Sequence, residues 1–373
     1  MKFLVKKEDI FNGIKLVANV AAIKSNQQPV LANILIETIN ENSLRFTATD
    51  FDLTISTTVE AQVVEEGKIT LPAKKLNDIV SRLADKLITF ELNKDTNTVN
   101  IKCDNSKFDI IGISASEYPN VLEINLSDEN STDIDMKPFV KAMRQAGFAA
   151  ASFETNSVLS GVVCDINENV LEMASTDGNR LARVREHITN LKKKSSQLII
   201  PARTINEFLK MSPLLSDDSL KIYTDKTKII LKTEKTMLIS RLMEGQYPKY
   251  NQLIPKENPK VAVLNKNKLL SALERVSIMV NEKTSIVKFE FSEDKITLKA
   301  DTPDAGASEE SFEIDYKNED ILIAFNYKYV IDGLKNIDQD EVKVEMNTNL
   351  SATVFRPNSE DDYISLIMPV QIR

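Results

Sequence analysis

The sequence predicts an α+β protein built from three copies of one unit, each a sheet-rich module carrying two helices. Three observations lead there: a hairpin pattern that occurs three times at domain-scale spacing, an amphipathic segment ahead of each hairpin, and a second helical segment behind it. The 373 residues, 42% hydrophobic and 27% charged, supply enough apolar material for packed cores in two or three domains.

The hairpins read Ile34–Asp50, Val162–Asp177 and Val287–Asp301, each alternating apolar and polar positions around a polar turn. Their turn residues Glu41, Glu168 and Asp294 stand 127 and 126 positions apart, a duplication of whole domains rather than a solenoid. Ahead of them, Glu8–Val20, Lys137–Ala150 and Asn267–Met279 repeat apolar residues at helical spacing. Behind them, Leu71-Pro72-Ala73-Lys74, Ile200-Pro201-Ala202-Arg203 and Ala324-Phe325-Asn326-Tyr327 introduce the second helices. Pro72 and Pro201 read as helix-entry signals, because a missing N–H is harmless at a helix start. Alternating runs at Leu87–Leu92, Val99–Ile113, Leu220–Leu242 and Val342–Phe355 complete the sheets. The expected domains are 1–127, 128–258 and 259–373, with linkers near Asn125–Thr132 and Pro255–Lys260, where Ser, Asp, Asn, Pro and Lys cluster.

Composition removes several chemistries. The nearest glycine pair, Gly147 and Gly161, is too widely spaced for a P-loop, a dinucleotide fingerprint or a Gly-x-Ser-x-Gly elbow. A single histidine, His187, in a polar run, and two unpaired cysteines, Cys103 and Cys164, leave no His/Cys zinc site and no disulfide framework. Asp301, Asp304 and Glu360-Asp361-Asp362 read as solvated turns and edges; metal-assisted hydrolysis by them is a distant alternative. We therefore expect no catalytic residue, metal or cofactor. No run approaches the 18 to 20 apolar residues, roughly, that a membrane span needs, and Met1-Lys2-Phe3-Leu4-Val5 runs into charge, so a cytoplasmic protein is expected.

Net charge is −8, which argues against a wholly basic surface, yet the cations are segregated. Leu76, Ile79, Val80 and Leu83 form an apolar stripe, with Lys75 and Arg82 on another face. Ile205, Phe208 and Leu209 oppose Arg203, Asn206 and Lys210; Phe139, Val140 and Met143 oppose Lys137, Lys141 and Arg144. Leu269, Leu270, Leu273 and Val276 oppose Lys268, Ser271 and Arg275, while Lys328 and Lys335 frame the last helix. Glu8, Asp9 and Glu274 break the pattern. Cations on outward rows of equivalent helices in three copied units are the footprint of phosphate contact, which grips duplex DNA without reading bases.

Met1-Lys2-Phe3, Leu71-Pro72-Ala73-Lys74-Lys75, Thr176-Asp177-Gly178-Asn179-Arg180-Leu181-Ala182, Ile200-Pro201-Ala202-Arg203, Glu244-Gly245-Gln246-Tyr247-Pro248, Phe325-Asn326 and Met368-Pro369-Val370 carry a resemblance along essentially the whole chain. By them it resembles the bacterial sliding clamps, the beta subunits of DNA polymerase III. The resemblance implies a clamp fold in which the chain is half of a closed ring, a homodimer around double-stranded DNA that tethers replicative polymerase, clamp loader and other partners. It implies a peptide-binding pocket at Leu159, Thr176, Gly178, Asn179, Arg180, Leu181, Pro248, Leu253, Leu366 and Met368, with a neighbouring subsite at Asn326, Tyr329, Leu350 and Pro369. It sets Lys107, Phe108 and Ile110 against Ile278, Met279, Glu309 and Glu310 at the dimer interface. Among DNA-facing cations it favours Lys24, Lys74, Lys75 and Arg203, since Ser25, Ser157, Val158 and Gln252 stand where relatives carry contacting residues. Asn179 and the ending Val370-Gln371-Ile372-Arg373 depart from the family pattern and bear on which partner peptides are preferred. A peptide-binding scaffold that does not act on DNA is the alternative.

Overall fold

The computed structural model describes residues 1–21, 28–120, 126, 131–152, 157–167, 169–188, 197–281, 284–302, 306–359 and 362–371. Among them, six α-helices form where the apolar periodicity sets them: α1 (Lys7–Ala21), α2 (Ala73–Arg82), α3 (Met136–Gly147), α4 (Ala202–Met211), α5 (Lys266–Val276) and α6 (Tyr327–Lys335). Asn265 and Asn326 cap α5 and α6, their side chains accepting from the N–H groups of Lys268 and Lys328. Pro72 and Pro201 differ from expectation by one position. They close the strands Lys68–Pro72 and Leu198–Pro201, and the helices begin at Ala73 and Ala202, so each proline both ends a ladder and stands at the helix entry, Pro72 as the N-cap of α2.

The strands of the described residues pair antiparallel, in four sheets. The expected hairpins appear as Asn33–Asn40 with Ser43–Thr49, Gly161–Asn167 with Val170–Thr176, and Ile286–Ser292 with Lys295–Thr302. Two sheets run across the repeat boundaries. In the eight-stranded sheet Leu53–Glu60 pairs with Thr236–Arg241, and in the nine-stranded sheet Arg180–His187 pairs with Tyr363–Ile367. The two seams share one register: Leu53 faces Ser240 in the first and Arg180 faces Ile367 in the second, each residue 127 further along (180 − 53 and 367 − 240). Such pairing buries strand edges that would otherwise stay open. The five-stranded sheet still ends on the strand Ser106–Ile111, and the four-stranded sheet on Gly306–Glu313.

By contacts the chain divides into two compact units, one built mainly from Met1–Met136 and Asn206–Leu242, the other from Lys137–Thr189, Lys193–Ile205 and Met243–Arg373. In the first, Phe3 stacks on Phe90 at 4.8 Å between ring centres. In the second, Phe289, Phe325 and Phe355 meet edge to face. Of the two expected linkers, Pro255–Lys260 is largely irregular and lies within the second unit, while most of 125–132 lies outside the described residues. Cys103 and Cys164 are buried free thiols, and burial pushes the Cys164 thiol up to about 12.

Candidate functional site

The turn at Thr176–Arg180 organises the site. Asp177 Oδ1 accepts the N–H groups of Asn179 (2.9 Å) and Arg180 (3.1 Å), and Thr176 Oγ1 accepts that of Gly178 (3.1 Å). Gly178 has φ +91°, the left-handed region that favours glycine, and a Cβ there would meet nothing within 4 Å, so the turn presents bare backbone. Arg180 is held on every side: Nε donates to Asp177 (3.0 Å), Nη1 to Asp332 on α6 (2.7 Å), and its guanidinium lies 4.5 Å from the Tyr329 ring and 5.6 Å from Phe148. Next to the turn, Met368 N–H donates to Asn179 O (2.8 Å) and Val370 N–H to Ala324 O (2.8 Å), which draws 368–370 alongside it.

Beneath lies one apolar cluster containing Val163, Leu181, Ile199, Tyr247, Tyr250, Val354, Ile364 and Leu366, with Val158, Leu159 and Ile254 packed against it. Tyr247 Oη accepts the Thr176 N–H (3.1 Å) and donates to Gly161 O (3.2 Å); burial pushes this phenol up to about 12, so it remains a donor. Leu181 and Leu366 are buried floor, whereas Leu253, Leu350 and Met368 are 55%, 57% and 40% exposed. Large apolar side chains left open around an apolar floor, with bare backbone at the edge, suit an extended peptide.

Most of the residues expected from the sequence meet here: Leu159, Leu181 and Leu366 in the cluster, Thr176, Gly178, Asn179 and Arg180 in the turn, Met368 and Pro369 beside it, and Tyr329 on Arg180. Pro248 and Leu253 belong to the irregular segment that Tyr247 anchors. Asn326 spends its side chain on capping α6, and Leu350 sits on an exposed turn closed by Thr348 and Ser351. Sequence reasoning missed Tyr250 and Glu172, whose contact braces the cluster; an alternating strand gives no sign that one of its polar positions is buried.

Family models for the N-terminal, central and C-terminal domains of the DNA polymerase III beta subunit match residues 1–122, 133–249 and 251–371. Proteins named beta sliding clamp from Synechococcus elongatus and Synechocystis are 31% and 32% identical, each aligned over the whole of both chains. The chain belongs to the beta sliding clamp family. The solved DNA polymerase III beta subunit of Pseudomonas aeruginosa (26% identity, TM-score 0.88) and the putative one of Eubacterium rectale (28%, 0.89) superpose over the full length of both chains. The protein is a DNA sliding clamp and processivity factor, a scaffold rather than an enzyme.

On the clamp's helices, Lys74 and Lys75 of α2, Lys137 of α3, Lys268 of α5 and Lys328 of α6 are exposed. Other expected DNA-facing cations are engaged: Arg82 with Asp78 (3.6 Å), Lys141 with Glu186 (2.7 Å), Arg144 with Asp338 (2.7 Å) and Lys210 with Glu207 (2.7 Å). Arg203 is half-buried on α4. On the open edge strands, Lys107 and Phe108 are exposed, but Ile110 turns into its own core at 5% exposure and its neighbour Ile111 is the outward one. Ile278 is exposed, Met279 is half-buried, Glu309 lies 3.6 Å from Lys299, and Glu310 is paired with Arg275 at 2.5 Å. Asp301 pairs with Lys288 at 3.1 Å, His187 is exposed, and no described helix is long and apolar enough to cross a membrane. Lys24, Ser25, Asp304, Glu360, Asp361, Ile372 and Arg373 lie outside the described residues.

Proposed function

We propose that two copies of this chain, each of three domains (1–127, 128–258, 259–373), close head to tail into a ring around duplex DNA in the cytoplasm. On this reading the pocket at Gly178 and Met368 captures extended peptides of the replicative polymerase, the clamp loader and other partners. The observation that carries the ring is the recurring seam. Leu53–Glu60 and Arg180–His187 each pair with the last strand of the following repeat. The corresponding strand of the third repeat, Gly306–Glu313, has no such partner among the described residues, and the corresponding last strand of the first repeat, Ser106–Ile111, is also a sheet end. Each is the missing half of a third seam, which a second copy supplies twice, closing the ring.

The faces of the strands select the register. Phe108 and Ile110 stand opposite the buried Ile101 and Val99, and Ser308 and Glu310 opposite the buried Ala300 and Leu298. Antiparallel partners share a face, so the register nearest that of the internal seams sets Lys107 opposite Glu309 and Phe108 opposite Ser308. The exposed lysines of α2, α3, α5 and α6 supply phosphate contacts without base readout. The experiment is a Lys107→Cys/Glu309→Cys variant under mild oxidation, with Cys103 and Cys164 buried and quiet. Covalent dimer that stays on circular DNA and slips from linear DNA is the expected result. A monomer at micromolar concentration, or equal retention on both DNAs, refutes the ring.

A further inference from the structure

The wall of the pocket is an unusual piece of backbone. Residues 242–259 run without a strand, and Pro248 and Leu253 sit on either side of one short 3-10 turn, Tyr250–Gln252. The segment is tied to the sheet at its start, where Met243 N–H donates to Ile199 O (2.9 Å), and again at Tyr247. Beyond Tyr247 the described backbone bonds of the turn are local, Tyr250 to Pro248 (2.7 Å), Gln252 to Lys249 (3.0 Å) and Leu253 to Tyr250 (2.9 Å), and position it only relative to itself. At the turn itself the phenol of Tyr250 donates to Glu172, and at the far end of the segment Asn258 Nδ2 donates to Glu345 O (3.0 Å) and Ala352 O (3.3 Å).

Glu172 is built for that grip. It lies within the strand Val170–Thr176 with its side chain 15% exposed, and its second oxygen accepts from Arg185 Nε at 2.5 Å. Burial opposes its charge, but the hydrogen bonds from Tyr250 and Arg185, reinforced by the charge of Arg183, outweigh that and hold the carboxyl below its usual range. Burial and the adjacent carboxylate push the Tyr250 phenol upward, so phenol donates and carboxylate accepts throughout the neutral range. Tyr250 also meets the Tyr247 ring edge-on at 6.4 Å, which joins the two anchors into one brace.

We propose that Glu172 is a positioning residue of the docking pocket: by gripping Tyr250 it sets where Pro248 and Leu253 stand, and so governs affinity for the part of a partner peptide that lies on that wall. This rests on the pocket reading above. The other end of the site is held independently, through Arg180, Asp332 and Tyr329, so the effect is confined to one end of the bound peptide.

The test uses the full-length clamp and two labelled synthetic peptides, one with apolar anchors for both ends of the pocket and one truncated to the anchor for the Tyr329 and Leu350 end. Tyr250→Phe removes the tether while keeping the ring, and should weaken the long peptide about tenfold, as losing a buried hydrogen bond to a charged group does. Glu172→Ala should do the same, the double variant no more than either, and Glu172→Gln, which keeps an acceptor, should recover part of the loss. The truncated peptide should bind all variants alike. Unchanged long-peptide affinity in Tyr250→Phe, or an equal loss for both peptides, overturns the proposal. If the unmodified clamp binds neither peptide, it is the pocket reading itself that has failed.

Discussion

Met368→Ala is the sharpest probe of the pocket, because the fold holds Met368 by its backbone and leaves its side chain open. The N–H to Asn179 O bond survives the substitution, so the tail should keep its place. Fully burying a methionine side chain contributes about 1.5–3 kcal/mol, and 40% of this one remains for a peptide to cover. The covered part is then worth about 0.6–1.2 kcal/mol, a three- to eightfold loss of affinity, roughly, on truncation. The same arithmetic for Leu253 and Leu350, at 55% and 57% exposed, gives about 0.8–1.7 kcal/mol each, so the triple alanine variant should bind at least about fiftyfold more weakly. Leu181, by contrast, is 1% exposed and has nothing left to bury; changing it to Ala should cost about 2–5 kcal/mol of stability through a cavity, and a lysine there more. Fluorescence anisotropy with a labelled partner peptide, alongside thermal unfolding, separates these effects. Wild-type affinity in the triple variant with its fold intact would refute the assignment of the pocket.

Three further outcomes are expected. A Cβ at Gly333 would lie 2.4 Å from Ser365 Oγ on the strand that carries Leu366, so Gly333→Ala should lose about 1–2 kcal/mol after its gain in helix propensity, with Ser365→Ala restoring part of it, as read by denaturant unfolding. Because the Glu172 carboxyl is held below its ordinary 4.5, its contribution to stability is fully present above that pH and is lost as pH falls through the lowered value; unfolding midpoints followed from pH 6 downward should show this loss, and Glu172→Gln should abolish it. Replacing Lys74 and Lys75 by Ala should weaken DNA binding alike on all sequences and reduce the slope of log affinity against log salt by about 0.9 for each phosphate that is no longer neutralised, measured by salt titration.

The helices and hairpins were legible in the chain because each depends on neighbours three to eight residues away. The stripe Leu76, Val80 can bury only if the segment from Ala73 winds, and the Glu41 and Asp294 turns fold back because alternation leaves no other way to put Ile36, Phe46, Phe289 and Leu298 inside. Pro72 and Pro201 mark the junctions of strand and helix to within one residue, each tolerated at the end of an edge strand just ahead of the first helical turn.

What no local pattern encodes is which surfaces meet. Ile110 and Ile111 are equivalent as letters, and only pairing with Val99 decides that the first is core and the second open. Lys141 and Arg144 read as free cations until folding brings Glu186 and Asp338 to them. Glu172 reads as a solvent-facing strand position until Tyr250, 78 residues on, closes over it. The sequence by itself determined the threefold unit, because period and apolar alternation act over short range; the residues around Gly178 were reached through the resemblance to the clamps and not through any local pattern. Tertiary structure alone decided the seam registers, the partners of the buried charges and the open strand edges, because these depend on distances between residues that the chain separates by tens to hundreds of positions.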